Sequence, residues 1–461
     1  MNNANDASGF ERFLSLFTRV QPGEGRCIAV LCLQACALMA AYYLIRPVRE
    51  ALILTQGGAE LRSYAVGLQA ALLIAIIPAY STLIRRVDTS KVFQYVNAFF
   101  AVNLVILSLA GLAGFRLGFL FFIWASIFGV MTVTQFWAFA TDVLSVDSGQ
   151  RLFGIIAVGV SCGAWMGARL SQASIEILGP YGLMLASAAT LMGSIWVSRW
   201  ARASVPVASR SVPQADARAT KDVRDSATRW LGGFAVIGRS RYLLCIAALV
   251  VVLNWITSTG EYVMSSWLLD IAHQQAAESP AVFIGKFMGR YCSAITLVGL
   301  LVQLLLVSRI ILVAGLPRAL MITPLAFLAG YLLIGVFPVF AVVQAVLVAQ
   351  RSLDYSLLNT TRGALLLPAS REVKYQAKTA FDTFFYRFGD LLSTVSVFAG
   401  TRLLHHPRMQ FIWLILILSA TLTLLAWLIG REYQRNFPRR SAPSLTAPVG
   451  GPATGVVALQ Q

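Results

Sequence analysis

The chain has 461 residues, 57% of them hydrophobic and 12% charged, with a mean hydropathy of +0.71. Because soluble domains carry far more polar surface, this composition predicts an all-α polytopic membrane protein. The net charge of +17 is spread over short segments between apolar runs, which argues against nucleic-acid binding. The six cysteines form no CxxC pair, so we expect free thiols and no metal site, disulfide framework or cofactor.

The segment 1–26 precedes the first apolar run. Within it, residues 8–20 place Phe10, Phe13 and Phe17 at helical spacing, which predicts an amphipathic helix on the cytoplasmic membrane surface. No short apolar core followed by a small-residue cleavage site occurs there, so no removable signal peptide is expected.

Twelve apolar runs are long enough to cross about 30 Å of hydrocarbon at ~20 residues each. They cover residues 27–45, 64–84, 92–113, 117–140, 153–178, 181–199, 242–268, 291–314, 319–336, 338–358, 378–402 and 409–430. A basic, Ser- and Pro-containing interval at 200–241 divides them into two six-helix halves, 27–199 and 242–430. The Pro-, Gly- and Ser-containing segment 431–461 is predicted to be a disordered cytoplasmic tail.

The distribution of basic residues predicts the orientation in the membrane. With a cytoplasmic N-terminus, roughly 27 of the 37 lysines and arginines fall in cytoplasmic segments, counting the connection from Arg351 to Lys378 among them. Both termini are therefore expected in the cytoplasm of a bacterial cell, with the protein in its inner membrane.

Two halves of six spans joined by a cytoplasmic linker resemble the major facilitator superfamily, in which two bundles move about a central site. The loop 84–88, Ile-Arg-Arg-Val-Asp, lacks the Gly-Asp-Gly-Arg pattern common in that superfamily. Generic sugar or drug facilitators are therefore disfavoured.

Several charged residues lie in or beside the apolar runs, where an ionisable group usually faces a water-filled path or the bundle interior. Arg46 and Arg49, at the predicted outer end of span one, are three residues apart and suit phosphate oxygens. The alternative is that both side chains extend to the lipid headgroups. Arg169 lies about four turns into span five and needs an anionic partner or substrate.

The turn after span four carries Asp142, Asp147 and Arg151, which either take part in gating or lock neighbouring spans together. Glu261 ends the polar outer half of span seven and either acts as a gate or coupling site, or faces a loop.

The stretch 351–390 holds the densest set of charges within apolar sequence, and it is predicted to form part of a translocation pathway. Arg362 and Asp382 have no obvious local partner and are the preferred substrate-binding candidates. Arg387 and Asp390 are three residues apart, so they either neutralise each other or act in gating. The other gating or ion-pair candidates there are Asp354 and Lys378.

Four sequence blocks together resemble the ATP:ADP antiporter family, the nucleotide transporters of plastids and intracellular bacteria, and most closely its bacterial relatives. They are YYLIRPVREAL, FWAFATDVLSVDSGQRLFG, NWITSTGEY and DYSLLNTTRGALLLPASREVKYQAKTAFDTFF. The similarity extends from about residue 20 to 432. It implies a twelve-span carrier that exchanges nucleotides, typically ATP for ADP plus phosphate.

The resemblance also implies site residues. The family's lysine after span one falls at Arg49, its lysine in the span-ten block at Arg362, and its span-seven glutamate at Glu261. Its glutamate after span four falls near Ser148, where no carboxylate stands, although Asp147 is adjacent.

Three hypotheses follow. The first is a monomeric, non-enzymatic exchanger of a nucleotide or related phosphorylated anion, in which Glu261 and Asp382 pair with the arginines when no substrate is bound. The second is a proton-coupled carrier of another organic solute, protonated at Asp382 or Glu261. The third is a membrane scaffold or sensor without transport activity.

Overall fold

The computed structural model describes residues 24–84, 89–144, 146–203, 233–275, 279–367, 370–403 and 407–436. The predicted surface helix at 8–20, most of the interval 200–241 and the end of the tail lie outside these residues. Within them the chain is helical and contains no strand.

Four helices form the N-terminal part, a name used here for residues 24–203. They are α1 (Glu24–Ile84), α2 (Thr89–Leu112), α3 (Gly118–Val143) and α4 (Val146–Ala203). The longest two bend sharply at Gly58 (φ 77°) and at Gly179 (φ 66°), a left-handed conformation that favours glycine. Each bend divides one long helix into two antiparallel legs.

The C-terminal part, residues 233–436, begins with the short helix α5 (233–239). It continues with α6 (Arg241–Gln274), α7 (Pro280–Val302), α8 (Ser308–Ala314), α9 (Leu316–Val336), α10 (Phe340–Leu353), α11 (Asn359–Leu365), α12 (Arg371–Ala380), α13 (Tyr386–Leu403) and α14 (Pro407–Asn436). Three π-helical turns join neighbouring helices, at Gln303–Val307, Asp354–Leu358 and Phe381–Phe385.

Among the described residues, eight helices are long and apolar enough to cross a membrane. Large apolar side chains such as Leu312, Val313 and Ile417 are exposed on them, as expected of a surface that faces lipid. The predicted polytopic all-α membrane fold is thus confirmed, whereas the number of twelve spans stays a prediction.

The first helix extends beyond the first predicted span. Span one was predicted to end at residue 45, but the helix continues through Pro47 to the Gly58 bend. Arg46 and Arg49 therefore lie about 18 and 13 Å before that bend, within the helix. Charged residues interrupt the apolar pattern of the sequence there. Their side chains are paired with residues of neighbouring helices, so the helix continues. At the other end of the chain, α14 continues past the predicted boundary at 430 to Asn436.

The two ends of the bundle are distinguished by their contacts. We call the end that carries the two bends and the start of α7 the far end, and the end that carries Glu24 and Ser148 the near end. The N-terminal part has its own apolar core between Cys27 and Leu191. A second core extends from Tyr43 to Ile429 and includes residues of both parts, so it also holds them together.

Helix α4 packs closely on the first leg of α1. A Cβ added at Gly163 would lie 2.3 Å from the Cys36 carbonyl oxygen, and one at Gly167 would lie 2.5 Å from that of Ala40. Both distances are too short for real atoms. The two backbones can therefore approach this closely only because these positions are glycine.

We predict that Gly163→Ala lowers the thermal unfolding midpoint of the detergent-purified protein, since overpacking an interface costs about 1–3 kcal/mol. Gly154→Ala is the matched control, because a Cβ at Gly154 of the same helix meets nothing within 4 Å. Equal midpoints for the two variants would contradict this packing.

Candidate functional site

A chain of four charged side chains crosses the interface between the two parts, and we call it the central charge chain. Arg62 donates from Nε to Glu50 Oε2 (2.5 Å) and from Nη2 to Glu261 Oε2 (2.9 Å). Arg351 donates from Nη2 to the other oxygen of Glu261. Arg62 and Arg351 are only 4% and 9% exposed. Glu261 therefore lies between one arginine from each part.

Charges continue from this chain towards the near end along α10 and α11. Arg351 Nη1 lies 3.8 Å from Asp354 Oδ2, one turn further on. Closer to the near end, Arg362 Nη2 lies 3.4 Å from Asp382 Oδ1, and the Asp382 side chain is 47% exposed. The Arg362–Asp382 pair is thus the more accessible end of the series.

Arg387 and Asp390 form a second buried group beside the chain. Arg387 Nη1 lies 3.5 Å from Asp390 Oδ2, while the Ser258 hydroxyl donates to Asp390 Oδ1 at 2.6 Å. The two residues do pair, as one of the sequence alternatives proposed. The serine on α6 adds a contact that spacing alone did not indicate.

Arg49 adjoins the central charge chain from the N-terminal part. Its Nη1 donates to the Ser126 hydroxyl (2.8 Å) and its Nη2 to Glu50 (3.2 Å), while its guanidinium lies over the Phe122 ring. Its buried Nε has no hydrogen-bond partner among the described residues, and neither does that of Arg387. Because buried donors are normally satisfied, both are free to donate to a further acceptor.

Aromatic side chains surround the charges on both sides. Arg46 donates to the Tyr43 hydroxyl (2.9 Å), and Tyr355 contributes a ring from the C-terminal part. Tyr355 is 43% exposed, and the Arg351 guanidinium lies 6.0 Å from its ring centre. Such rings offer flat surfaces against which a planar base can stack, next to cations suited to phosphates.

Two of the π-helical turns carry residues of the site. Asp354 begins one of them and Asp382 lies in the other. A π-helical turn adds a residue to the helical repeat, and such turns are frequent at functional sites. Here they interrupt the helices on both sides of the Arg362–Asp382 pair.

The structure brings together some of the predicted site residues and separates others. Glu261 and Arg49 meet at the central charge chain, and Arg362 meets Asp382 nearer the near end. Arg169 lies apart, is exposed, and donates to Gln172 Oε1 at 3.0 Å. Lys378 is exposed. The side chains of Asp142, Asp147 and Arg151 lie outside the described residues.

Sequence reasoning missed three members of the central charge chain. Glu50 and Arg62 fell in the predicted connection after span one, and Arg351 was counted with the basic residues of a cytoplasmic connection. The structure buries all three. A usable signal was present, because Glu50 and Arg62 are opposite charges on either side of the Gly58 bend.

The position that the resemblance assigns to a glutamate does have a carboxylate nearby. The Ser148 hydroxyl donates to Glu24 Oε1 at 2.8 Å, and both residues are buried at the near end. As expected, position 148 itself carries no carboxylate. In the structure, however, Glu24 places a carboxylate beside Ser148.

Comparison with known proteins relates the chain to nucleotide carriers. The family model described as TLC ATP/ADP transporter matches residues 117–341. ADP,ATP carrier protein 1 of Chlamydia pneumoniae is 23% identical over 305 residues, which are 58% of this chain and 58% of the carrier. The match thus spans a little over half the length of that curated relative.

Solved transporter structures share the fold at low identity. The nucleoside transporter NupG has a TM-score of 0.61 at 12% identity, covering 88% of this chain and 99% of that one. A bacterial homologue of the human lysosomal transporter Spinster, inward-facing and unoccupied, has a TM-score of 0.61 at 13% identity, covering 92% and 100%. The family model and the Chlamydia carrier confirm the predicted resemblance to the ATP:ADP antiporter family, and the chain shares the fold of these solved transporters.

Proposed function

We propose that this protein exchanges nucleotides, or closely related phosphorylated anions, across the membrane by alternating access. The observation that carries the proposal is the central charge chain, in which Glu261 lies between arginines of both parts. A purely structural contact would gain little from three buried charges around the partly buried Glu261, because removing charges from water is expensive. A carrier of polyanions needs such arginines and must neutralise them when no substrate is bound.

Glu50 and Glu261 supply that neutralisation. With no substrate, they occupy the guanidinium donors of Arg62 and Arg351. An incoming phosphate group offers several oxygens with matching geometry, so it competes for the same donors. Once Glu261 loses its arginines, the contact that crosses the interface is broken. Substrate binding is thereby coupled to separation of the two parts.

Arg49 is the proposed first phosphate ligand. Its unpartnered Nε is available, and its position beside Glu50 places it within the same charged cluster. Arg362 is the proposed ligand nearer the near end, where Asp382 holds it until the substrate arrives. Tyr43 and Tyr355 are the proposed stacking surfaces for a base.

The contacts between the parts support a state that is closed at the far end. The Thr394 hydroxyl donates to the Ser63 carbonyl (2.9 Å), and a Cβ at Gly67 would lie 2.8 Å from the Thr394 side chain. A Cβ at Gly285 would lie 2.0 Å from Ile175. Opening the far end requires these tight contacts and the Arg62–Glu261 pair to separate.

The proposed setting follows from the charge distribution. The near end faces the cytoplasm of a bacterial cell, both termini lie there, and the protein is in the inner membrane as a monomer of twelve spans. The orientation is supported by the excess of basic residues in the segments assigned to the cytoplasmic side.

The geometry favours exchange over proton coupling at the two predicted carboxylates. Two guanidinium groups stabilise Glu261 in its ionised form, whereas Asp382 is half-exposed and paired with Arg362. A proton-binding carboxylate is better served by an apolar, unpaired environment.

We predict that Arg49→Gln lowers uptake of labelled ADP by about 10- to 100-fold in proteoliposomes preloaded with ATP, since a charge-assisted hydrogen bond contributes about 1.5–3 kcal/mol. Arg116→Gln is the control, because Arg116 is exposed in the connection between α2 and α3. Uptake that is driven by a pH gradient alone and is unaffected by Arg49→Gln would contradict the proposal.

We also predict that Glu261 and Arg351 are strongly coupled. Glu261→Gln removes the closest carboxylate from Arg351 and one of the two carboxylates from Arg62, so it should lower the thermal midpoint. Arg351→Gln/Glu261→Gln should lower it by less than the sum of the two single changes. The matched control cycle is Asp270→Asn with Arg408→Gln, an ion pair whose side chains are 50% and 38% exposed. Additive effects in both cycles would refute this coupling.

A further inference from the structure

A pocket of about 360 Å³ opens at the far end, where α4 of the N-terminal part meets α7 of the C-terminal part. Its lining combines two cations, two amides and two aromatic rings, contributed by Gln172, Gln275, Phe283, Lys286, Phe287 and Arg290. The proposed function places no residue here. The volume falls in the range of small-molecule sites, roughly 300–1,000 Å³.

An ion pair between the two parts lies beside this pocket, and its side chains are 33% and 50% exposed. Lys286 of the C-terminal part donates to Glu176 of the N-terminal part. Arg169 donates to Gln172, which itself lines the pocket, so a third cation lies close to the lining. The carboxylate of Glu176 pairs with Lys286. The three cations near the pocket therefore carry more positive charge than this one carboxylate neutralises.

The pocket is directly connected to the closed interface. A Cβ at Gly289 would lie 2.9 Å from the Gln172 side chain, so α7 and α4 are in tight contact next to the lining. Phe287 of the lining stacks on the buried Tyr291 ring, with the ring centres 6.2 Å apart. The buried Tyr291 hydroxyl has no hydrogen-bond partner among the described residues.

From this geometry we infer that the far-end pocket is a second binding site for a phosphate-bearing anion, separate from the central site. Lys286 and Arg290 hold the phosphate oxygens, and Phe283 supplies an apolar surface for the rest of the ligand. Binding displaces Glu176 from Lys286 and so removes one ion pair that joins the two parts at the closed far end. Ligand binding in this pocket therefore favours opening of the far end.

Two sources could supply this phosphate, a soluble nucleotide or a phospholipid headgroup. The nucleotide source rests on the proposed function, whereas the lipid source does not. An experiment must therefore distinguish the nucleotide from the lipid. Its result must also not depend on whether the protein exchanges nucleotides.

The experiment uses the full-length protein purified in detergent and photolabelled with 8-azido-ATP, followed by peptide mapping. We expect label on the peptide that contains residues 280–290, reduced at least tenfold in Lys286→Gln/Arg290→Gln. Arg408→Gln is the control, because it also breaks a far-end ion pair but does not line the pocket, and its labelling should equal the wild type. Native mass spectrometry with phosphatidylglycerol provides the lipid arm on the same variants.

Loss of the 280–290 label in the double variant supports a nucleotide source. Retention of phosphatidylglycerol by the wild type, lost in the double variant and without any 280–290 label, supports a lipid source. Equal binding of both probes by the wild type and the double variant overturns the inference, even if proteoliposome exchange is intact. Exchange that fails while lipid retention still depends on Lys286 and Arg290 overturns only the proposed function.

Discussion

The position of Glu261 between Arg62 and Arg351 is the interaction on which the rest of the structure depends. Each arginine comes from a different part of the chain, so this one carboxylate joins the two parts through charge. Burying these groups is unfavourable unless every one has a partner. The bend at Gly58 returns Arg62 to the level of Glu50, which completes the pairing. The fold thus tolerates the charges by arranging them as a connected series.

The all-α membrane architecture was predictable because long apolar runs and basic connections are strong, local signals. The first span shows the limit of that approach. Hydropathy treats Arg46, Arg49 and Glu50 as the end of a span, yet the helix continues because those side chains meet Ser126, Tyr43 and Arg62. A single sequence does not reveal pairings between distant helices.

Only part of the site was predictable, because pairings between distant helices are not visible in the sequence. Glu261 and Arg362 stood out as charges within apolar sequence, and the resemblance assigned roles to both. Arg351 was overlooked because it lies at the edge of a basic connection, although it is buried against Glu261. The carboxylate beside Ser148 was also hidden, because Glu24 is 124 residues away in sequence. The residue types were visible in the sequence, but their proximity in space was not.

In the proposed mechanism, a carboxylate in each charged region pairs with a cation until an anionic ligand replaces it. The most direct test is a thermal-shift titration of the purified protein with ATP, ADP, adenosine and inorganic phosphate. A ligand that binds the folded state raises the unfolding midpoint according to its concentration and affinity. The account predicts a shift with ATP and ADP that adenosine and phosphate do not reproduce. No shift with any nucleotide would contradict it, and would mean that the fold has been retained for another substrate.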